Sequence, residues 1–162
     1  MTPERLANLV DRHAAALVLY ARQWCAQPED VVQDAFIRLH QQRCVPDDPL
    51  AWLYCVARNR AISHGRSDRR RRSRESTVAS LAPTWFASDD ESTGLDAATA
   101  VEALTELSLD QREIVIAHLW GGLTFVQIAE LVSTSSATAF RRYQAALVLL
   151  RQRLGVSCPN PN

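Results

Sequence analysis

The sequence predicts an all-α protein built from two small helical domains joined by a flexible linker. Three observations carry that expectation. Apolar residues recur at helical spacing and never alternate as in a half-buried strand. Helix starts are marked at Thr2-Pro3, at Pro28-Glu29-Asp30 and at Asp48-Pro49. Between about Arg66 and Gly94 the periodicity gives way to an Arg run followed by Ser, Thr, Pro and Asp, the composition of a linker or mobile arm. The 162 residues leave room for one or two domains, and 47% apolar with 22% charged residues suits a folded, soluble chain.

In the first helix Thr2 caps the end, Pro3 sits in the first turn and Glu4 meets the positive end of the helix dipole. Leu6, Leu9, Val10, Leu17, Tyr20, Ala21 and Trp24 form its apolar stripe. The second helix opens at Pro28 and turns Val31, Val32, Ala35, Phe36 and Leu39 inward. The third opens at Asp48-Pro49, buries Leu50, Leu53, Val56 and Ala57, and is expected to stop near Gly65. These helices make a first domain over residues 1–74, followed by a linker at 75–94 and a second domain at 95–155.

Periodicity resumes with Leu95, Val101, Leu104 and Leu107. Two capping boxes then follow, Ser108 with Gln111 and Thr124 with Gln127, in which cap and third residue satisfy each other's free amides. Gly121-Gly122 ends the helix between them. A short helix from Phe125 to Val132, the polar break Ser133-Thr134-Ser135 and a longer helix from about Ser136 to Leu154 have the dimensions of a helix-turn-helix. The second domain thus reads as a DNA-binding module.

A net charge of zero, from 18 Arg against 18 Asp plus Glu, hides a strong segregation. Arg58 to Arg74 carries a net +7 in 17 residues, Asp89 to Glu113 a net −7, and Ile114 to Asn162 a net +3. A polyanion would meet two basic regions separated by an acidic one. The acidic stretch cannot favour DNA and is expected to face protein or solvent. Every basic residue is Arg, whose flat fork suits phosphates and guanine edges, although a skewed genomic codon composition gives the same absence of Lys.

Other classes find little support. The longest stretch without Asp, Glu or Arg, Ile114 to Ala129, is 16 residues and is broken by Gly121-Gly122, too short for a membrane span. Glu4, Arg5, Asp11 and Arg12 leave no hydrophobic stretch for a secretory signal, so the expected location is cytoplasmic. Cys25, Cys44, Cys55 and Cys158 form no CxxC pair, which indicates reduced thiols rather than a zinc site or disulfide framework. His13, His40, His64 and His118 are scattered. No catalytic set, metal site or cofactor is expected.

Glu29-Asp30-Val31-Val32-Gln33-Asp34-Ala35-Phe36-Ile37-Arg38-Leu39, Ala51 to Ile62, and Leu107 to Leu154 together resemble three stretches of the extracytoplasmic-function (ECF) RNA polymerase sigma factors, within the sigma-70 family. The resemblance implies a region 2-like bundle and a region 4-like helix-turn-helix. It implies docking on core RNA polymerase, at the β′ clamp and the β flap, with Glu29, Asp30, Gln33, Asp34 and Arg38 as the polymerase-binding face. On the residues alone, that face is an acidic helix surface opposite an apolar stripe.

For promoter melting the expected set is Trp52, Tyr54, Arg58, Asn59 and Arg60, since aromatic platforms, an amide and cations are what holding unstacked bases requires. Trp52 is equally suited to a core. Arg66, Arg69 and Arg70, with the neighbouring arginines, suit phosphates and a salt-sensitive affinity. Gln42 to Asp48 stands where the family's loop takes a flipped base, and Trp85-Phe86 where its linker enters the polymerase cleft. Ser135, Ser136, Thr138, Phe140, Arg141, Arg142 and Gln144 lie at the amino end of the last helix, placed for major-groove edges of the minus-thirty-five element.

Two departures stand out. Ser133 occupies a turn position usually filled by Gly, and Ala145 to Leu150 is apolar where relatives are often basic, so this domain alone should bind DNA weakly. An anti-sigma protein is the implied regulator. The competing reading is a helix-turn-helix regulator that works without polymerase docking; a protein-only adaptor is disfavoured by the Arg run.

Overall fold

The computed structural model describes residues 2–75 and 102–154. Among them are six helices: α1 (Pro3–Ala21), α2 (Pro28–Gln41), α3 (Pro49–Glu75), α4 (Leu109–Leu119), α5 (Phe125–Leu131) and α6 (Ser136–Leu154). Residues 102–106 form a further helical segment, and no strand occurs among the described residues. The fold is all-α. Most of the 75–94 linker, with Trp85 and Phe86, lies outside the described residues, as do Leu95, Val101 and the tail from residue 155.

Helices α1, α2 and α3 form a bundle whose centre follows from the apolar stripes. Leu17, Tyr20 and Ala21 of α1 meet Val31, Val32, Ala35, Phe36 and Leu39 of α2 and Leu53 and Ala57 of α3, all buried. Thr2 Oγ1 accepts from the Arg5 amide, and Asp48 Oδ1 accepts from the Ala51 amide at 3.0 Å, so both expected helix starts carry a side-chain cap. Pro28 opens α2 without one.

The third helix does not stop near Gly65 but runs through the Arg run to Glu75. Gly65 is buried against the end of α1, where an added Cβ would lie 2.0 Å from the Trp24 carbonyl oxygen. Its role is close approach of two backbones, not termination. Arg is also a good helix former, and here it reinforces the helix beyond Gly65. Arg69 Nε donates to the Gly65 carbonyl and Arg70 Nε to the Arg66 carbonyl, each one turn back, and Arg71 pairs with Asp68 at 3.4 Å. Part of what reads as a loose arm is therefore helical.

In the second unit both capping boxes form, Ser108 with Gln111 and Thr124 with Gln127. The turn between α5 and α6 places Ser133 at φ 55°, a left-handed backbone that costs a residue with a Cβ roughly 1–2 kcal/mol. The position usually held by Gly thus keeps Gly-like geometry. Arg112 is buried and ties 102–107 to α4, its guanidinium donating to the carbonyls of Leu104, Thr105 and Leu107. Within the apolar run of α6, Ala146 is buried and Leu150 packs with it against Leu104, Leu107 and Val115; Val148 and Leu149 face solvent.

The two units are not separate. Ile114, Ile116 and Ala117 of α4, Leu123, Ile128 and Leu131 at α5, and Ala139 of α6 belong to the same buried cluster as Leu17, Tyr20, Leu53 and Tyr54. Helix α1 packs on α4, and α3 on α5. Gly121 is required at that junction, because an added Cβ would come within 2.5 Å of the Tyr54 hydroxyl and 2.4 Å of the Ala117 carbonyl.

Gly65→Ala should destabilise the protein by about 1–3 kcal/mol, the range for overpacking, despite roughly 1 kcal/mol of improved helix propensity. Urea unfolding should show a lower midpoint at an unchanged slope, and a stabilised variant would contradict the Trp24 contact.

Candidate nucleic-acid interface

The acidic face of α2 is built by its period. Glu29, Asp30 and Gln33 are exposed, opposite the buried Val31, Val32 and Ala35. Glu29 takes a 3.4 Å ion pair from Arg22, while Asp34 accepts from Arg38 Nε at 2.8 Å and from Arg60 Nε at 2.6 Å. Partial burial alone would raise the Asp34 carboxyl, but the two guanidinium groups win and hold it below the usual carboxylate range. One carboxylate of α2 thereby fixes a cation of the next helix. Of the five residues expected to face polymerase, Glu29, Asp30 and Gln33 form an open acidic surface and Asp34 and Arg38 form an internal pair beside it.

Along α3 the expected DNA set separates into three environments. Asn59, Arg66, Arg69 and Arg70 are exposed, and Trp52 and Arg60 are half-buried. Tyr54 is fully buried, its ring edge-on to Tyr20 at 4.8 Å and its hydroxyl without a hydrogen-bond partner, so it presents nothing to a ligand in this arrangement. Trp52 packs against the central cluster. Arg58 is engaged across the junction. Its Nε donates to Glu113 Oε1 at 2.5 Å and its Nη2 to Oε2 at 3.4 Å, while its guanidinium stands 5.9 Å from the centre of the Trp24 ring.

Glu113 is the residue that sequence reasoning missed. Its side chain is 4% exposed, and its Oε1 also accepts from the Tyr20 hydroxyl at 2.5 Å. It sits in the acidic block, and only its place in an otherwise apolar run, Glu113-Ile114-Val115-Ile116-Ala117, hinted at burial. A second junction pairs Gln127 with Asp48, so that the third residue of the α5 capping box also holds the residue capping α3.

At the amino end of α6, Ser135 Oγ accepts from the Thr138 amide at 3.1 Å as a helix cap. Ser135, Ser136, Phe140, Arg141 and Gln144 are exposed and Thr138 is half-buried, so these residues form one accessible surface. Arg141 donates to Thr138 Oγ1, and Arg142 pairs with Asp110 at 3.2 Å. His118 is held within the fold, Nδ1 donating to the Leu123 carbonyl and the ring stacked on Phe125. Among the described residues no three His, Cys, Asp or Glu side chains gather as a metal site.

This geometry places a helix-turn-helix beside a bundle with one acidic and one arginine-rich flank, the layout of a two-domain transcription initiation factor. Residues 9–71 match the model for sigma-70 region 2, and residues 98–150 the model for sigma-70 region 4. The chain is 35% identical over 159 residues to the ECF RNA polymerase sigma factor SigL of Mycobacterium tuberculosis, covering 92% of this chain and 90% of the relative. It is 31% identical over 136 residues to the ECF sigma factor SigK of Mycobacterium sp. strain KMS, covering 80% of this chain and 70% of the relative.

Two solved structures share the fold. The sigma factor RpoE from Bartonella quintana, in complex with the anti-sigma factor NepR, aligns at a TM-score of 0.72 and 22% identity over 97% of this chain and 100% of the other. CnrH, in complex with the cytosolic domain of CnrY, aligns at 0.58 and 21% identity, over 97% and 92%. The chain belongs to the ECF RNA polymerase sigma factors of the sigma-70 family.

The Tyr20 phenol is held well above its ordinary value of 10.0, first by burial and then by the Glu113 charge and the hydrogen bond to it. Burial likewise raises Tyr54. A raised folded-state value stabilises fully below pH 10, and the contribution is lost as pH rises beyond it. In an alkaline titration followed at 295 nm, Tyr20 and Tyr54 should therefore ionise only together with loss of helicity. Ionisation of all three tyrosines before the helical signal falls would refute this packing.

Proposed function

We propose that this sigma factor divides its work among three surfaces. Core RNA polymerase is bound through Glu29, Asp30 and Gln33 of α2, with Asp34 and Arg38 holding that face in register; the β′ clamp is the partner of this surface and the β flap that of the second unit. The minus-ten element is met and opened by Trp52, Asn59 and Arg60, with Arg58 when it is released, and Arg66, Arg69 and Arg70 draw the phosphates. The minus-thirty-five element is read by Ser135, Ser136, Thr138, Phe140, Arg141, Arg142 and Gln144 at the amino end of α6. In this reading Tyr54 supports the helix from within rather than touching DNA.

The observation that carries this reading is the pairing of an open acidic face and an open arginine flank on adjacent helices of one bundle. A regulator that only reads an operator has no use for the former beside the latter. The protein directs core RNA polymerase to promoters and assists their opening; it performs no covalent chemistry of its own in this reading. It acts in the cytoplasm, where polymerase and promoters are, and none of its described helices is long and apolar enough to cross a membrane. An anti-sigma protein is its proposed regulator, by analogy with the complex of RpoE and the anti-sigma factor NepR.

Transcription in vitro with core polymerase and a promoter library tests the reading. Asp30→Arg should lower affinity for core polymerase by about tenfold, the effect of placing a like charge at a complementary interface. Asn59→Ala with Arg66→Ala should leave core binding intact and lower open-complex formation by about thirtyfold, the loss of two polar contacts of roughly 1 kcal/mol each. Equal loss of core binding in both variants would show that the surfaces are not separable.

A further inference from the structure

Along α6 the exposed residues Ala137, Phe140, Arg141, Gln144 and Ala145 fall on one face, spaced three and four apart. That face is poor in charge. Of the two cations in the first two turns of the helix, Arg142 is half-buried and paired with Asp110, and Arg141 leans back on Thr138 Oγ1. The largest group the face offers is a phenyl ring, since Phe140 is 45% exposed.

A single exposed apolar side chain is ordinary on a protein surface. Phe140 differs because its ring is held from within the domain. It forms a T-shaped pair with Phe125 at 5.2 Å, and Phe125 is in turn stacked on His118 at 4.4 Å and packed against Tyr143 at 5.3 Å. Phe125 opens α5, so both helices of the helix-turn-helix set the position of the ring. Part of the phenyl group is anchored and the rest is open to solvent, and meeting a ligand costs it little further rotamer freedom.

On base edges in the major groove an apolar group has one counterpart, the 5-methyl group of thymine. Arginine would favour guanine and a carboxylate cytosine; a phenyl ring offers neither hydrogen bond. Gln144, one turn further along the same face, carries the amide that matches adenine, the partner base of thymine. We propose that Phe140 is a specificity-determining residue that packs on the 5-methyl group of a thymine in the minus-thirty-five element, so that this sigma factor selects an A·T pair there by apolar contact. The inference rests on the function proposed above and deepens its account of α6.

The test uses holoenzyme assembled from the full chain and core polymerase, with a promoter selected in the library transcription assay. Each thymine of its minus-thirty-five element, on either strand, is replaced singly by deoxyuridine, which removes the methyl group and leaves pairing unchanged. At one of these positions native holoenzyme should bind about fourfold more weakly, the effect of one methyl group no longer withdrawn from water. Phe140→Ala should bind the thymine and uracil promoters alike, whereas Phe140→Leu, which keeps an apolar group, should retain a ratio of about two or more. Added salt should lower both affinities and leave their ratio unchanged, because a methyl contact releases no counterion.

A selected element without A·T pairs, or equal binding of thymine and uracil promoters by native holoenzyme while scrambling the element still weakens it, would overturn the thymine contact and leave the three-surface reading intact. An undiminished ratio in Phe140→Ala overturns it as well, by giving the methyl group to another residue. Indifference of native holoenzyme to scrambling would remove the contact and the assignment of α6 together. The uracil scan of the native chain needs no variant; should Phe140→Ala lose helicity, Phe140→Gln takes its place with the same expected ratio.

Discussion

The structure turns on one carboxylate. Among the described residues the hydrogen-bond partners of the Glu113 carboxylate come from the other unit, a guanidinium at 2.5 Å and a phenol at 2.5 Å. A lone carboxylate at 4% exposure would be strongly unfavourable, because a charge out of water needs pairing and hydrogen bonds to be tolerated. The position of α4 against α1 and α3 is therefore dictated in direction as well as in distance. Apolar contacts of Ile114, Leu123 and Ile128 with the bundle supply area, but area is indifferent to register. The ion pair is not.

Helix α3 gathers the consequences. Its first turn is held at Asp48, which also takes Gln127 of α5. Its middle presents Tyr54 and Arg58 inward to the junction, and its opposite side presents Asn59 to solvent and Arg60 to Asp34 of α2. Beyond Gly65 it carries the exposed Arg66, Arg69 and Arg70. A single helix thus links the acidic face of α2, the junction and the cationic flank.

Much of this was legible from the chain alone. The buried stripe Val31, Val32, Ala35, Phe36 and Leu39, both capping boxes and the short–long helix pair follow from local rules of spacing and hydrogen bonding, which tertiary contacts did not override. Gly65 was misleading, since a glycine between apolar and charged residues signals a helix end by local logic. Only the neighbouring Trp24 carbonyl explains it, and that contact is remote in sequence. Tyr54 and Glu113 were hidden for the same reason. The aromatic ring looks like a platform and the carboxylate like solvent-facing charge until the partner residues, 34 and 93 positions away from Tyr20, are known.

The unbroken passage of α3 through Gly65 has a thermodynamic corollary. In a loose arm, each residue ordered against a polyanion would forfeit about 1–2 kcal/mol of backbone freedom. In a continuous helix that entropy has been surrendered during folding, and guanidinium groups one turn apart stand at a pitch of about 5.4 Å before any ligand arrives. The arginines of this flank form a preorganised comb, whose attraction for phosphate is spent on contact rather than on taming the chain that bears it.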